Sequence, residues 1–204
     1  MRTETIIPPQ QEGNQLDTEY SITAPSPKQA RKFFTVARNR LLNINGWSTY
    51  AGPLSAEFIL TDKRGKEVNR QAGVGDYFKI NIPGPGPAAG DGYDWVKVES
   101  MEDFPDPSSE TEILSMTVRP ASNPMHADKD TAHFFKDEAT STFMIERNDN
   151  TITASVHGRN EIPNASAHEA TDRIRNSVVA VGAFSGFSKV QWNNLVKGLL
   201  DNIR

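Results

Sequence analysis

Cysteine is absent from this chain of 204 residues. The absence excludes disulfide bonds, thiolate metal sites and catalysis by a cysteine nucleophile. A domain of this length buries roughly 70% of the surface of its unfolded chain, so it needs no covalent staple to fold. We therefore expect one domain that is stabilised by packing, and the lack of cysteine fits a reducing compartment.

An excess of positive charge and long apolar runs are also missing. Lys and Arg number 22 against 26 for Asp and Glu, which gives a net charge of −4 and no basic field for nucleic acid. The longest strongly apolar stretch, residues 178–187, contains two glycines and is far shorter than the ~20 residues of a membrane span. The first residues show no apolar signal segment. We expect a cytoplasmic protein with no nucleic-acid partner and no stable membrane insertion.

The first residues differ in pattern from those that follow. Residues 1–19 are polar and aperiodic, which predicts an N-terminal arm ahead of a single domain at 20–204. A short strand is predicted at Tyr20–Ala24. Ser26 then suits an N-cap and Pro27 the first helical position. Apolar residues follow at spacings of three and four, which predicts a helix of about four turns with one buried face: Ala30, Phe33, Phe34, Ala37, Leu41 and Ile44.

After Trp47 the apolar period changes to two, which predicts a series of half-buried strands. Strand parity places one set of apolar residues on the same side of the sheet: Phe78, Ile80, Val96, Val98, Leu114, Met116, Val118, Phe143, Ile145, Ala154 and Val156. Two further runs flank a turn. With Asn148-Asp149 as a two-residue hairpin loop, Ile145 is predicted opposite Ile152 and Phe143 opposite Ala154.

The C-terminal part reads as one long helix. A capping box at Ser166–Glu169 predicts its start, and apolar positions continue to about Ile203. Its middle is unusual because small residues cluster there: Gly182, Ala183, Ser185, Gly186 and Ser188. Such a stretch on a buried helix either lets another element approach closely or leaves a hole beside it.

The predicted order, a strand, a helix, six strands and a long helix, resembles the START-like or SRPBCC helix-grip superfamily, which includes birch-pollen allergen proteins and polyketide aromatase/cyclase proteins. Four stretches carry the resemblance, which covers most of residues 20–203: Ser21-Ile-Thr-Ala-Pro-Ser-Pro27, Gly46-Trp47, Val74-Gly-Asp-Tyr-Phe-Lys-Ile80 and the terminal helix 167–203. The resemblance implies an α+β fold in which a curved antiparallel sheet of about six or seven strands wraps around the C-terminal helix. It also implies a cavity for a hydrophobic or amphipathic small molecule.

The candidate ligand-binding residues follow from that fold and from strand parity. The apolar candidates for the cavity wall are Phe78, Val98, Met116, Val118, Phe143, Phe184 and Phe187. Arg119 and His157 stand at strand ends on the polar parity, where they could hold the polar end of a ligand. The alternative is a core that is completely filled by side chains, with Arg119 and His157 as ordinary exposed residues.

Other site chemistries have weaker support. His126, Asp128, Asp130 and His133 carry metal-ligand side chains but satisfy no fixed spacing rule, and their segment reads as a polar loop. We predict no metal and no cofactor. Asp94, Glu99, Glu102 and Asp103 are interpreted as solvated charges rather than paired catalytic carboxylates. No Gly-x-Ser-x-Gly motif supports a Ser/His/Asp triad, and no catalytic residue is identified.

Three functions therefore compete. The first is a binding protein that holds a hydrophobic or aromatic small molecule between the sheet and the C-terminal helix. The second is a cyclase- or dehydratase-like enzyme, which requires at least two ionisable side chains that face inward. The third is a protein-interaction domain without catalytic activity, in which the 1–19 arm and the loop at 119–133 could mediate contacts, for example in a homodimer.

Overall fold

The structure is a computed structural model that describes residues 6–53, 55–82, 87–104, 109–127, 130–164 and 184–203. Its helices are α1 (Pro27–Leu42), α2 (Trp47–Ala51) and α3 (Phe184–Leu200), with single 3₁₀ turns at Ile44–Gly46 and Ala88–Gly90. Its strands are β1 (Asn14–Thr23), β2 (Glu57–Thr61), β3 (Tyr77–Asn81), β4 (Asp94–Phe104), β5 (Thr111–Pro120), β6 (Thr140–Asn148) and β7 (Thr151–Glu161).

The seven strands form one open antiparallel sheet in the order β1-β7-β6-β5-β4-β3-β2. β1 forms one edge of the sheet and pairs with β7. After β1 the chain crosses to β2 at the opposite edge, and the strands from β2 to β7 then follow one another back across the sheet to β1. Helix α3 packs against α2, β1 and β7. The predicted fold class, an antiparallel sheet with a C-terminal helix, is confirmed. Among the described residues, no helix is both long enough and apolar enough to cross a membrane.

The local signals at the start of α1 act as predicted. Ser26 is the N-cap, and its Oγ accepts a hydrogen bond from the backbone N–H of Gln29 at 3.3 Å. Pro27 occupies the first helical position, where a missing N–H costs nothing. The buried face of the helix consists of Ala30, Phe34, Ala37, Leu41 and Leu42.

The core lies on one side of the sheet, as strand parity predicts. All eleven residues assigned to the inner face are buried in one apolar cluster. Trp47 lies at its centre with no exposed surface, and its ring contacts Phe58, Phe78 and Phe143 at centroid distances of 5.3, 5.6 and 4.6 Å. The indole N–H of Trp47 donates to the carbonyl oxygen of Leu41, so the ring is buried without an unpaired donor.

Two local predictions are corrected. The first strand begins at Asn14 rather than Tyr20, so residues 14–19 of the predicted arm belong to the sheet. The β6–β7 loop is Asp149-Asn150, and Ile145 therefore lies opposite Ala154 instead of Ile152. Because this register differs from the predicted one by two residues, an even number, the apolar residues still share one face.

Helices α2 and α3 touch through their backbones. A Cβ atom on Gly198 of α3 would overlap the carbonyl group of Tyr50 in α2. Glycine is thus required at this crossing because no other residue leaves room for the neighbouring carbonyl.

Candidate functional site

A cavity of about 50 Å³ lies on the inner side of the sheet, beside α3. Its walls are formed by strands β2 to β6, the end of β7, residues 133–135 and helix α3. The described lining residues are Ala56, Phe58, Phe78, Ile80, Ile82, Val96, Val118, His133, Phe134, Phe135, Ser141, Phe143, Glu161, Gln191 and Trp192. This space has room for a few water molecules, so the core is not completely filled.

Aromatic rings make up much of the wall. Trp192 of α3 lies edge-to-face against Phe143 of β6 at 5.3 Å and contacts Phe58 of β2 at 6.0 Å. Phe58 in turn contacts Phe78 at 6.3 Å. Rings at such separations attract one another through their quadrupoles and present flat apolar faces to the space between them.

Glu161 brings a carboxyl group to this apolar wall through a β-bulge. The pairing of β1 with β7 shifts by one residue between Leu16↔Gly158 and Asn14↔Glu161, so β7 contains one extra residue. Asn160 lies in this bulge with φ = +55°, in the left-handed region. Without the extra residue Glu161 would face outward like Arg159, whereas with it the side chain turns inward.

The neighbours of Glu161 are adapted to its position. A Cβ atom on Gly158 would overlap the carboxyl group of Glu161, so the glycine leaves the space that this side chain fills. Asn160 also holds the chain that precedes β1: its Oδ1 accepts from the N–H of Gln11 at 2.8 Å, and its Nδ2 donates to the carbonyl oxygen of Pro9 at 3.2 Å. The described part of the predicted arm is therefore attached to the bulge.

Burial changes the ionisation of Glu161. The loss of contact with water raises the pKa of Glu161 to about 7, and the positive charge of Arg159 only partly opposes this. At neutral pH this carboxyl group is thus close to half-protonated, and it can act as a hydrogen-bond donor or as a base.

Gln191 is a second polar group in the wall, and one end of its amide is unused. Its side chain is 4% exposed, and its Oε1 accepts from the backbone N–H of Ala56 at 2.8 Å. Its Nε2 makes no hydrogen bond to any residue that the structure describes. A buried N–H without an acceptor lowers the stability of the folded state by about 1–3 kcal/mol, unless a bound molecule supplies the acceptor.

His133 belongs to a short segment that closes one end of the cavity. The N–H of Phe135 donates to Nδ1 of His133 at 3.0 Å, which places the proton of the neutral ring on Nε2. The ring stacks on Phe134 at 4.1 Å, and the N–H of Phe134 donates to Asp94 at 3.1 Å. The buried carboxylate of Asp94 thus anchors this segment, contrary to the prediction of a solvated charge.

The predicted apolar candidates are placed as follows. Phe78, Val118 and Phe143 line the cavity, whereas Val98 and Met116 lie in the surrounding core without lining it. Phe184 and Phe187 belong to α3, but their side chains lie outside the described residues, as do residues 166–183 of the predicted helix.

The two polar candidates do not line the cavity. Arg119 pairs with Glu99, Nε to Oε2 at 2.8 Å, and donates to the carbonyl oxygen of Asp137. His157 lies on the outer face of β7, where its Nδ1 is 2.6 Å from Oδ1 of Asp17. The positions of both residues follow from strand parity, and the polar residues of the lining are Glu161, Gln191, His133 and Ser141 instead.

His157 also takes part in an arrangement that has the form of a catalytic triad. Its Nε2 is 3.0 Å from Oγ of Ser155, while Nδ1 faces Asp17. However, Glu19 lies directly opposite Ser155 in the register, on the same outer face of the sheet. A neighbouring carboxylate would oppose the oxyanion that acyl transfer generates. We interpret the chain of hydrogen bonds as a link between β1 and β7.

His126 and His133, two of the four side chains weighed as possible metal ligands, face different neighbours. His126 is 3.0 Å from Asp91, whereas His133 faces the cavity. Asp128 lies outside the described residues. Within the described part of the chain, no group of three His, Asp or Glu side chains is placed to hold a metal ion.

A second depression, of about 660 Å³, lies on the outside of the molecule between β1, α1 and the C-terminal turn. Its lining is mixed, with Tyr20, Ile22 and Phe33 beside Lys197 and Asp201. Tyr20 is 39% exposed.

Comparison with solved structures returns chains of low sequence identity and low TM-score. The antiparallel sheet and C-terminal helix described above match the element order that the sequence resemblance implies. The chain is similar to Ara h 8.0201 (13% identity, TM-score 0.36, covering 93% of this chain and 100% of that one). It is also similar to norcoclaurine synthase from Thalictrum flavum in complex with dopamine and hydroxybenzaldehyde (12%, 0.38, 93% and 87%). A third match is the Zhui aromatase/cyclase from a Streptomyces species (9%, 0.37, 94% and 97%).

These three structures share little sequence with the chain. Their identities and TM-scores are too low to transfer any ligand or activity to this chain. No protein-family model matches the chain, and no curated protein matches it at a significant level. Its function must therefore be argued from its own cavity.

Proposed function

We propose that this protein binds a hydrophobic or aromatic small molecule in the cavity between the sheet and α3. The observation that carries the proposal is the wall itself, in which aromatic rings and a few polar groups converge on one space. Such a composition, mostly apolar with a small number of directed polar atoms, is typical of small-molecule sites.

Binding requires the cavity to widen. A cavity of about 150 Å³ holds benzene, and the space present is about 50 Å³. Phe135 and Trp192 are the half-buried aromatic residues of the lining, so rotation of their side chains offers a way to open it. The cavity of about 50 Å³ is then the closed form of a pocket that widens when a ligand binds.

The test measures binding of α-methylstyrene, a small apolar aromatic hydrocarbon, by ligand-observed NMR. Val118→Phe adds a ring to the lining and should abolish binding. Val190→Phe, the same change at an exposed position of α3, should leave binding unaltered. Native mass spectrometry of freshly purified protein adds a search for a molecule that co-purifies. Absence of binding to wild-type protein, or equal binding by both variants, would contradict the proposal.

A second candidate function is proton transfer to or from the bound molecule. It is favoured by two ionisable side chains, Glu161 and His133, in the lining, and by the pKa of Glu161 near neutrality. In this function the Glu161 carboxylate removes a proton next to a carbonyl group, which leaves an enolate and the protonated Glu161, and the enolate carbon then regains a proton from that carboxylic acid.

The corresponding experiment follows exchange of the methyl protons of acetophenone in D₂O by NMR. Each removed proton is replaced by a deuteron from solvent, so no other reactant is needed. Catalysed exchange that disappears in Glu161→Gln supports this function. If exchange with protein is no faster than exchange in buffer alone, the protein does not catalyse this proton transfer, and the binding function remains.

A further inference from the structure

The unused amide N–H of Gln191 defines a requirement on whatever fills the cavity. Its orientation is fixed, because Oε1 accepts from the N–H of Ala56 at 2.8 Å. Rotating the amide by 180° would place Nε2, a donor, against the N–H of Ala56, which is also a donor. Nε2 is therefore the atom of the amide that does not bind Ala56. That nitrogen is buried and has no acceptor among the described residues.

The rest of the lining restricts the charge of the missing acceptor. Among its described residues the lining contains one carboxyl group, Glu161, one histidine, His133, and neither lysine nor arginine. Nδ1 of His133 accepts from the N–H of Phe135, and a ring with an unprotonated Nδ1 supplies no positive charge. A buried anion without a cation is strongly disfavoured, and Glu161 would add repulsion when ionised. The acceptor is therefore on an uncharged molecule.

The neighbouring rings restrict the rest of the ligand. Gln191 precedes Trp192 on α3, and Trp192 contacts Phe143 and Phe58 across the cavity. A group that reaches Nε2 thus belongs to a flat apolar skeleton that packs among these rings.

We infer that Gln191 is a specificity-determining residue, and that the ligand is a neutral aromatic molecule whose carbonyl or ether oxygen accepts a hydrogen bond from Nε2. This inference rests on the proposed function, and it adds a polar requirement that packing alone would not impose. A pocket that donates to a ligand oxygen discriminates against the same molecule without that oxygen, since the donor then stays unpaired.

The experiment compares two ligands of the same shape. Acetophenone and α-methylstyrene differ in one atom group, a carbonyl oxygen in place of a methylene. Their dissociation constants are measured for wild-type protein, for Gln191→Met and for Asn194→Met, a control on the exposed side of α3. The ratio of the two constants cancels any loss of folded protein, because both ligands bind the same folded population.

We expect Gln191→Met to shift this ratio toward the hydrocarbon by about fivefold to tenfold, the effect of one hydrogen bond, and Asn194→Met to leave it unchanged. An unchanged ratio in Gln191→Met, with both ligands bound, overturns the inference and leaves the proposed function standing. Absence of binding by both ligands to the wild type overturns the two together.

A second measurement does not depend on a variant. In ¹⁵N-labelled wild-type protein, the side-chain amide signals of Gln191 should shift with acetophenone toward those of a hydrogen-bonded amide, and less with α-methylstyrene. Equal shifts with both ligands would contradict the inference even if Gln191→Met fails to fold for want of the acceptor at Ala56.

Discussion

Nε of Arg147 and Oε2 of Glu112 lie 2.5 Å apart across the β5–β6 pair, with 1% and 6% of the two side chains exposed. Arg147 also donates to the carbonyl oxygens of Ser109, Glu110 and Asp149. One guanidinium group therefore neutralises a buried carboxylate and satisfies three backbone acceptors at one end of the sheet.

Arg147→Met should lower the free energy of unfolding by about 3–5 kcal/mol, because it leaves Glu112 buried without a counter-charge. Urea denaturation at pH 7 measures the change. Arg38→Met, which breaks the more exposed pair with Asp103, is the control and should cost about 1 kcal/mol or less. Equal effects of the two substitutions would show that the burial of the first pair is unimportant.

Glu161 should make stability fall as pH rises. Its pKa in the folded protein, about 7, is above the usual 4.5, so between these values the folded state holds a proton that the unfolded state has lost. Stability then decreases from about pH 4.5 to about pH 7, by at most about 3 kcal/mol, and this contribution is constant outside that window.

Glu161→Gln should remove this pH dependence. Urea denaturation of both proteins at pH 5 and pH 8 provides the test, and the difference between the proteins isolates Glu161 from other titrating groups. A stability difference between wild type and variant that is the same at both pH values would contradict the raised pKa.

The bulge at Asn160 should control the ionisation of Glu161. Deletion of Asn160 restores regular pairing between β1 and β7, which turns the carboxyl group outward into water and lowers its pKa toward 4.5. A ¹³C NMR titration of the glutamate carboxyl groups measures the shift. Asn160→Gly retains the left-handed conformation and is the control.

In that control the pKa of Glu161 should stay raised. The amides of Gln11 and Glu12 should nevertheless exchange with solvent faster, because their acceptor on Asn160 is gone. A raised pKa that survives deletion of Asn160 would show that something other than the bulge keeps this carboxyl group away from water.

Asp17 should stabilise the β1–β7 pair with the opposite pH dependence. Burial alone would raise its pKa, but the hydrogen bonds from His157 and Arg159 outweigh it and hold the pKa of Asp17 below the usual 3.8. This stabilisation is present above about pH 4 and is lost as pH falls through the pKa of the folded state.

Asp17→Asn should therefore destabilise the protein by about 1 kcal/mol or less at pH 6, since the side chain is 46% exposed, and should have no effect near pH 2. Denaturation midpoints at the two pH values test this. A loss that persists at pH 2 would mean that Asp17 acts through packing rather than charge.

The sequence predicts which apolar residues form the wall of the cavity better than it predicts which polar groups line it. Phe78, Val118 and Phe143 could be assigned because a period of two places them on one face whatever the exact register, and the two-residue error at the β6–β7 loop did not change this. Glu161 could not be assigned in this way, because the β-bulge reverses which face of β7 its side chain lies on. That bulge is marked by a single asparagine, Asn160, in the left-handed conformation.

Gln191 was missed for a different reason. Its role depends on a long-range contact with the N–H of Ala56, and no local pattern reveals which backbone donor a helix will meet. His133 likewise reads as a loop residue, and long-range contacts of its segment, such as the hydrogen bond from Phe134 to Asp94, bring it to the cavity. Polar residues of this kind are set by tertiary contacts, which strand and helix periodicities do not encode.

The backbone contact between Gly198 and Tyr50 makes the end of α3 a fixed pivot. Gln191 is seven residues away along the same helix, a lever of about 10 Å. A tilt of α3 by only about 5° around this pivot would displace Gln191 by about 1 Å, enough to break or remake a hydrogen bond. The close backbone contact at Gly198 therefore helps to set where the Gln191 amide stands relative to the cavity.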